Sequence, residues 1–254
     1  MEMASPPGSA RRSTRWSIPI IAAVALVSAC GEPATPPGTW EQTGEILALS
    51  GGNAGARGAC ITCHGLEGEG DGQLSPRLAG LDAGYIARQL EFFSAGYRRH
   101  PQMVWIADQL DWPARQEVAF HYAGLAVPAA ARAQTLPAAA CLAPIAQLYH
   151  AGDPARGIQA CAACHGDDGA GVGEGNPPLA AQPAAYLAEQ LRKWRKGERY
   201  GDPLDSMTHV SRLLAEQEID PLAAYAAHLP GSSSYPEPRA TCPQIRRPDP
   251  RNGA

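Results

Sequence analysis

The chain has 254 residues, enough for one large domain or two small ones, and 44% hydrophobic with 18% charged residues is a globular rather than a disordered composition. A net charge of −4 supplies no basic footprint, so the reading is of a protein with no nucleic-acid partner. Gly (27) and Pro (24) are abundant without a collagen-like period and predict long loops, and the seven cysteines are an odd number that needs explaining.

At the N-terminus, Arg11, Arg12 and Arg15 precede an apolar run at residues 18–29. A run of about twelve residues is shorter than the roughly twenty needed to span a membrane. A charged start, a short apolar core and small residues instead make residues 1–29 a secretory signal peptide. The core ends in Val27-Ser28-Ala29-Cys30-Gly31, which resembles a bacterial lipobox, with Cys30 the lipidated first residue of the mature chain and its membrane anchor. The alternative is an ordinary cleavage site with a chance cysteine. Removing residues 1–29 takes away three Arg and one Glu and leaves a net charge of −6. Residues 30–40 are Pro-rich and read as a tether. Export into the periplasm means an oxidising compartment.

Beyond the tether the chain repeats itself. Cys60-Ile61-Thr62-Cys63-His64-Gly65 recurs as Cys161-Ala162-Ala163-Cys164-His165-Gly166, an offset of 101. Leu78, Tyr85, Gln89, Leu90, Gly96 and Arg98 recur at the same offset as Leu179, Tyr186, Gln190, Leu191, Gly197 and Arg199. After a three-residue insertion Met103 matches Met207, and the closing segments bring Tyr122 near Tyr225 and Leu125 near Leu229. So extended a match is an internal duplication. It divides the chain into a first unit at 41–128, an Ala- and Pro-rich linker at 129–142, a second unit at 143–231 and a surface tail at 232–254. Units this small benefit from a cofactor in the core.

The elements read as helical throughout. Short helices are expected at 45–49 and 145–150, just before each motif, and stronger ones at 85–95 and 186–196. Asp111-Trp112-Pro113 opens a further helix in the first unit, Pro being tolerated in a first turn. In the second, Ile219, Leu222, Ala223, Ala226 and Leu229 recur at helical spacing. No alternating strand pattern is visible, so the fold class is all-α. The Gly-rich stretches 65–72 and 166–175 are loops without the strand and helix context of a phosphate-binding loop.

On a helix, positions i, i+3 and i+4 share one face. Cys60, Cys63 and His64 therefore point one way, as do Cys161, Cys164 and His165. Two thiols can bond the two vinyl groups of a haem while the adjacent imidazole reaches its iron, the c-type attachment signal. Zinc sites pair their Cys-x-x-Cys motifs roughly 15–20 residues apart, against about a hundred here. A thioredoxin-like redox pair would want alternating strands and helices. Two covalently bound haem c groups are thus expected.

Each iron then needs a sixth ligand or an open site. Past residue 29 the only methionines are Met103 and Met207, at equivalent positions 39 and 42 residues after their histidines. One methionine alone is ordinary core filler; two equivalent ones point to axial ligands, so the metal ligands read as His64 with Met103 and His165 with Met207. His100 and His209 are nearby competitors but do not correspond in the repeat. A thioether ligand raises the reduction potential relative to two imidazoles and closes the site, which favours electron transfer over oxygen chemistry. Pro76 and Pro177 stand at the repeat offset, and a Pro carbonyl accepting from the ligating ring would fix its orientation. Tyr85, Gln89, Tyr186 and Gln190 are expected to line the haems or the contact between units. Arg98 and Arg199 either pair with haem propionates or are solvated.

With both Cys-x-x-Cys-His-Gly motifs, Pro76-Arg77-Leu78-Ala79-Gly80, Pro178-Leu179-Ala180-Ala181-Gln182, Gly96-Tyr97-Arg98, Gly197-Glu198-Arg199 and the two methionines, the chain resembles a tandem class I cytochrome c of the periplasmic diheme c-four type over roughly residues 41–230. The resemblance implies two all-α cytochrome domains with neighbouring haems, shuttling single electrons. Leu81 departs from the usual Gln after Leu-Ala-Gly, and the lipobox and tail fit a tethered carrier or an enzyme's electron-accepting subunit better than a free shuttle.

Cys141 and Cys242 have no counterpart in the other unit and no neighbouring His, so in an oxidising compartment they are expected to pair, free thiols or an intermolecular bond being the alternatives. The function read from all this is electron transfer rather than catalysis, between partners such as a quinol-oxidising complex and a terminal oxidase. The alternative is a diheme dehydrogenase of the thiosulfate type, or the cytochrome subunit of a dehydrogenase. Some thiosulfate-oxidising diheme cytochromes ligate a haem with Cys, but here Met103 occupies the expected distance.

Overall fold

The computed structural model describes residues 42–235, except 133, 142, 173–174 and 201–203. The signal segment, Cys30, the tether and Cys242 lie outside the described residues. Among those described there is no sheet, only three isolated bridges, and ten α-helices follow one another: α1 Gly44–Ser50, α2 Ile61–His64, α3 Ala83–Ser94, α4 Pro101–Asp108, α5 Trp112–Gly124, α6 Ala143–Ala151, α7 Ala162–His165, α8 Ala184–Lys196, α9 Ser206–Leu213 and α10 Glu216–Ala227. None of them is long and apolar enough to cross a membrane. The all-α expectation is met, and the helices at 45–49, 85–95, 145–150 and 186–196 fall inside α1, α3, α6 and α8 to within a residue or two.

Local signals explain several starts. The Asp82 carboxylate accepts from the Tyr85 amide at 2.7 Å, and that of Asp111 from the Ala114 amide at 2.9 Å. The α4 start was not anticipated, because its cap is a histidine: His100 Nδ1 accepts from the Met103 amide at 3.3 Å, ahead of Pro101 in the first turn. The α9 start carries no side-chain cap and follows Asp205 in the left-handed region at φ 55°. These two unforeseen helices carry Met103 and Met207.

Each half folds around its own core. In the first, α5 packs against α1 and α3, and α4 against α3, burying Leu47, Ile86, Leu90, Phe93, Leu110, Val118 and Tyr122. In the second, α10 packs against α8 and α6, and α9 against α8, burying Ile145, Leu148, Tyr149, Leu214, Ile219, Leu222 and Leu229. Each such side chain contributes about 1.5–3 kcal/mol. The 129–142 linker is not loose: it makes short 3₁₀ turns at Ala129–Arg132 and Ala138–Cys141, and Ala131, Arg132 and Ala140 are buried. Where the tail begins, Tyr235 packs on Val127, Ala131 and Ala181.

Candidate functional site

The two motifs have the same backbone. Cys60 is helical at φ −60°, ψ −37° and Cys161 at φ −60°, ψ −38°. The His64 amide donates to Cys60 O and the His165 amide to Cys161 O, both at 2.9 Å. Gly65 and Gly166 then end the turns at φ 79°, a left-handed value that suits glycine. None of the four motif cysteines forms a disulfide. Burial pushes the Cys60 thiol up and that of Cys161 up to about 11, so neither is a thiolate at neutral pH. No group of three or more His, Cys, Asp or Glu side chains suited to a metal ion occurs among the described residues.

A loop after each motif returns to its histidine. Gly70 donates to His64 O at 2.7 Å and Gly171 to His165 O at 2.9 Å. Leu78 and Leu179 donate to the carbonyls of Gly68 and Gly169 at 2.8 and 2.9 Å. These bonds place Pro76 O 2.9 Å from His64 Nδ1, and Pro177 O 2.9 Å from His165 Nδ1. Both rings are buried, and burial pulls them below the ordinary histidine range, with the proline carbonyl opposing. Each is therefore neutral, donates a hydrogen bond from its Nδ1–H to the proline carbonyl and keeps Nε2 as its lone-pair nitrogen.

Both histidines, all four motif cysteines, Met103 and Met207 line one cavity of about 830 Å³ that runs through both halves. Met103 and Met207 are half-buried in its wall. Of their competitors, His100 is occupied in capping α4 and His209 is exposed.

Between the halves, Arg98 and Arg199 pair in an antiparallel bridge, flanked by Tyr200 N–H to Tyr97 O at 2.8 Å and Arg99 N–H to Glu198 O at 3.2 Å. The two guanidiniums cross over. Arg98 donates to Gln89 at 2.9 Å in its own half and to Tyr186 and Gln190 at 2.7 and 3.0 Å in the other. Arg199 donates to Gln190 at 2.9 Å and across to Tyr85 and Gln89 at 3.1 and 3.3 Å. Both arginines are buried, and no carboxylate among the described residues pairs with either. Tyr85, Gln89, Tyr186 and Gln190 thus both line the cavity and bridge the halves. Burial together with the Arg98 charge lowers the Arg199 pKa. Burial works against ionising the Tyr186 phenol, but the two guanidiniums outweigh it and hold the phenol below its ordinary range.

One participant escaped the sequence reading. Trp194 lines the cavity, lies 3.9 Å under the Arg199 guanidinium, and buries its indole Nε1–H without a hydrogen-bond partner. Its counterpart at the repeat offset, Phe93, lies 4.5 Å under Arg98, so pairing the aromatics with the arginines along the duplication would have exposed it. A haem fits these residues: an apolar cavity with two thiols and an imidazole on each motif, a methionine in the wall of each half, and at Trp194 a buried donor without a partner, of the kind that an acidic propionate requires. Cys141 is disulfide-bonded; the four motif cysteines are not its partner, and Cys242 lies outside the described residues.

Comparison with known proteins agrees with this geometry. The cytochrome c family model matches residues 146–230. A thiosulfate dehydrogenase electron acceptor of Stutzerimonas stutzeri (strain A1501) is 40% identical over 187 residues, covering 73% of this chain and 86% of that one. A cytochrome c4 of Thiocapsa roseopersicina is 34% identical over 186 residues, 72% of this chain and 91% of that one. Among solved structures, a thiosulfate dehydrogenase of Marichromatium purpuratum superposes with a TM-score of 0.66 and 42% identity over 74% of this chain, which spans only 40% of that one's length.

Proposed function

The chain belongs to the diheme class I cytochromes c of the c4 type, carries two covalently bound haem c groups and transfers single electrons, and from that premise we propose that it is a membrane-tethered periplasmic acceptor that takes electrons from a thiosulfate-oxidising dehydrogenase and passes them to a respiratory partner such as a terminal oxidase. Each haem, when bound, supplies an iron that cycles between ferric and ferrous and so stores one electron.

The chain's own residues do the rest. Cys60 and Cys63 would hold the first haem, with His64 and Met103 offering ligands to its iron; Cys161 and Cys164 would hold the second, with His165 and Met207. Pro76 and Pro177 orient the two imidazoles through Nδ1, and this bond also makes each ring a stronger donor. The two thioethers, both in the cavity wall, would close each iron to oxygen and peroxide chemistry. Arg98, Arg199 and the Trp194 indole offer the propionates the donors they need between the halves. Lipidated Cys30 tethers the chain, and Cys141 pairs with Cys242 to pin the tail near the linker.

The observation that carries this reading is that the two cysteine, histidine and methionine sets line a single cavity meeting at the crossed arginines, an arrangement suited to passing electrons between two closed irons. The name of the Stutzerimonas relative supports a thiosulfate dehydrogenase as donor. The competing reading makes this chain itself a thiosulfate dehydrogenase, as part of the Marichromatium protein's length resembles it. Mixing the oxidised diheme protein with thiosulfate, first alone and then with a thiosulfate dehydrogenase, separates the two. We expect two low-spin haems that bind neither cyanide nor carbon monoxide quickly and are reduced only when the enzyme is present. Reduction by thiosulfate alone, or a high-spin haem, would overturn the carrier reading.

A further inference from the structure

The chain just past the second half does not lie free on the surface. Tyr235 is half-buried, and its ring meets two guanidiniums, Arg77 at 5.2 Å and Arg132 at 5.4 Å from the ring centre. Arg77 also donates to the Tyr235 hydroxyl at 3.3 Å. Both cations are buried, at 0% and 4% exposure. Their other partners come from different parts of the chain. Arg77 donates to the carbonyl of Ala79 in the first half and to those of Ala180 (3.2 Å) and Ala181 (3.3 Å) in the second. Gln182 of the second half accepts from the Arg77 amide at 3.1 Å and donates to its carbonyl at 2.9 Å. Arg132, in the linker, donates to the carbonyls of Leu229 (2.9 Å) and Pro230, where the second half ends. The Tyr235 ring itself packs on Val127, Ala131 and Ala181. First half, linker and second half therefore meet on one aromatic side chain that belongs to neither copy of the repeat.

The chain turns back to put the ring there. Gly231, at φ 73°, donates to Asp168 O at 2.7 Å, and the Tyr235 amide donates to Ser232 O at 2.9 Å. A Cβ on Gly231 would stand 2.1 Å from the Tyr235 ring, so turn and ring alike require glycine. A guanidinium withdrawn from water is held by an aromatic face more strongly than a solvated one, and here one ring serves two. Elsewhere along the same seam the halves meet at the crossed Arg98 and Arg199. A single such point would leave a pivot, whereas two fix an orientation. Electron tunnelling falls steeply with distance, so that orientation governs how fast an electron crosses. We propose that Tyr235 is a positioning residue: as a strap joining Arg77 and Arg132, it locks the two haem-bearing halves in one orientation and so sets the rate of electron exchange between them. The inference rests on the two-haem carrier reading above.

The test compares purified diheme proteins by amide hydrogen exchange in the ferrous state and by the rate of electron exchange between haems in half-reduced samples. The reporters are the amides of Arg99 and Tyr200, which bond across the seam to Glu198 O and Tyr97 O. The amides of His64 and His165, bonded within their own halves, are the controls. Tyr235→Leu keeps an apolar group but loses the ring. It should speed the reporter amides about tenfold and leave the controls within about twofold. It should also slow electron exchange between the haems while their spectra and potentials stay put. Tyr235→Phe keeps the ring, gives up only the 3.3 Å hydrogen bond, and should match the unmutated protein in every reading. Gly231→Ala, which drives the ring from its place, should reproduce Tyr235→Leu. Unmoved reporters in Tyr235→Leu, reporters and controls accelerated alike, Tyr235→Phe behaving like Tyr235→Leu, or faster reporters with unchanged electron exchange would overturn the proposal. If Tyr235→Leu yields no folded protein, unmoved reporters in Gly231→Ala overturn it. Haem content and the electron exchange of the unmutated protein report separately on the two-haem reading itself.

Discussion

The proline-to-histidine bond depends on a glycine that can be tested against its neighbour. A Cβ on Gly70 would stand 2.5 Å from Ser75 O and 2.9 Å from both Arg77 N and Pro76 C, all of them backbone atoms of the turn that presents the Pro76 carbonyl. Relieving a 2.5 Å contact to the ordinary 3.4 Å requires this turn to retreat by about 0.9 Å. A 2.9 Å hydrogen bond stretched by that much is lost, at about 0.5–1.5 kcal/mol. The φ of 80° adds roughly 1–2 kcal/mol for any residue with a Cβ. Gly72, at φ 72°, carries the second cost but not the first, since a Cβ there meets nothing within 4 Å. Gly70→Ala should therefore be about 0.5–1.5 kcal/mol less stable than Gly72→Ala, roughly 1–6 °C in Tm for a chain of this size. Its first imidazole, no longer hydrogen-bonded at Nδ1, becomes a weaker donor, so the potential of the N-terminal haem rises while the other stays put. Gly171, whose Cβ would meet Asn176 O at 2.5 Å and Pro177 C at 3.0 Å, is the mirror experiment and should move only the C-terminal haem. Thermal unfolding and redox titration of the three holoproteins suffice. Equal melting of Gly70→Ala and Gly72→Ala with unmoved potentials would refute the orienting role.

Met103→Ala and Met207→Ala should each lower one haem's potential and abolish its sulfur-to-iron absorption band; a variant with an intact spectrum would show that methionine to be core filler. Cys30→Ser should release the protein from the membrane fraction, and unchanged association in fractionated cells would contradict the lipobox. Arg98→Gln removes one of the two guanidiniums that hydrogen-bond the Tyr186 hydroxyl, at a cost of about 0.5–1.5 kcal/mol, and removes a charge shared by both halves. Denaturant unfolding should show the loss and redox titration a fall of both potentials, whereas a fall confined to one haem would break the two-sided reading of that arginine.

Much of this was legible because its physical causes are local. The i, i+3, i+4 spacing of each motif, the caps at Asp82 and Asp111 and the 101-residue offset each depend on a few neighbouring residues or on plain identity. What was hidden depends on residues far apart in the chain. Residue type assigns an arginine to the surface, yet Arg77 is buried by partners about a hundred residues away, and Arg98 and Arg199 bury one another across the halves. The helices carrying the methionines were hidden for a smaller reason: one is capped by a histidine and the other begins without a side-chain cap.

The departures from exact repetition matter most. Leu81, which stands in place of the usual Gln after Leu-Ala-Gly, is buried in the core of its half, while its counterpart Gln182 clasps the backbone of Arg77. The first unit thus contributes the cation and the second the amide that holds it. Ala181, in the left-handed region at φ 60° where the first unit has Gly80, also turns its carbonyl to that guanidinium. A duplicated chain can distinguish its copies only through side chains that are not repeated, and the differences at 77/178 and 81/182 converge on one buried charge that donates to Ala79 O and to its repeat counterpart Ala180 O.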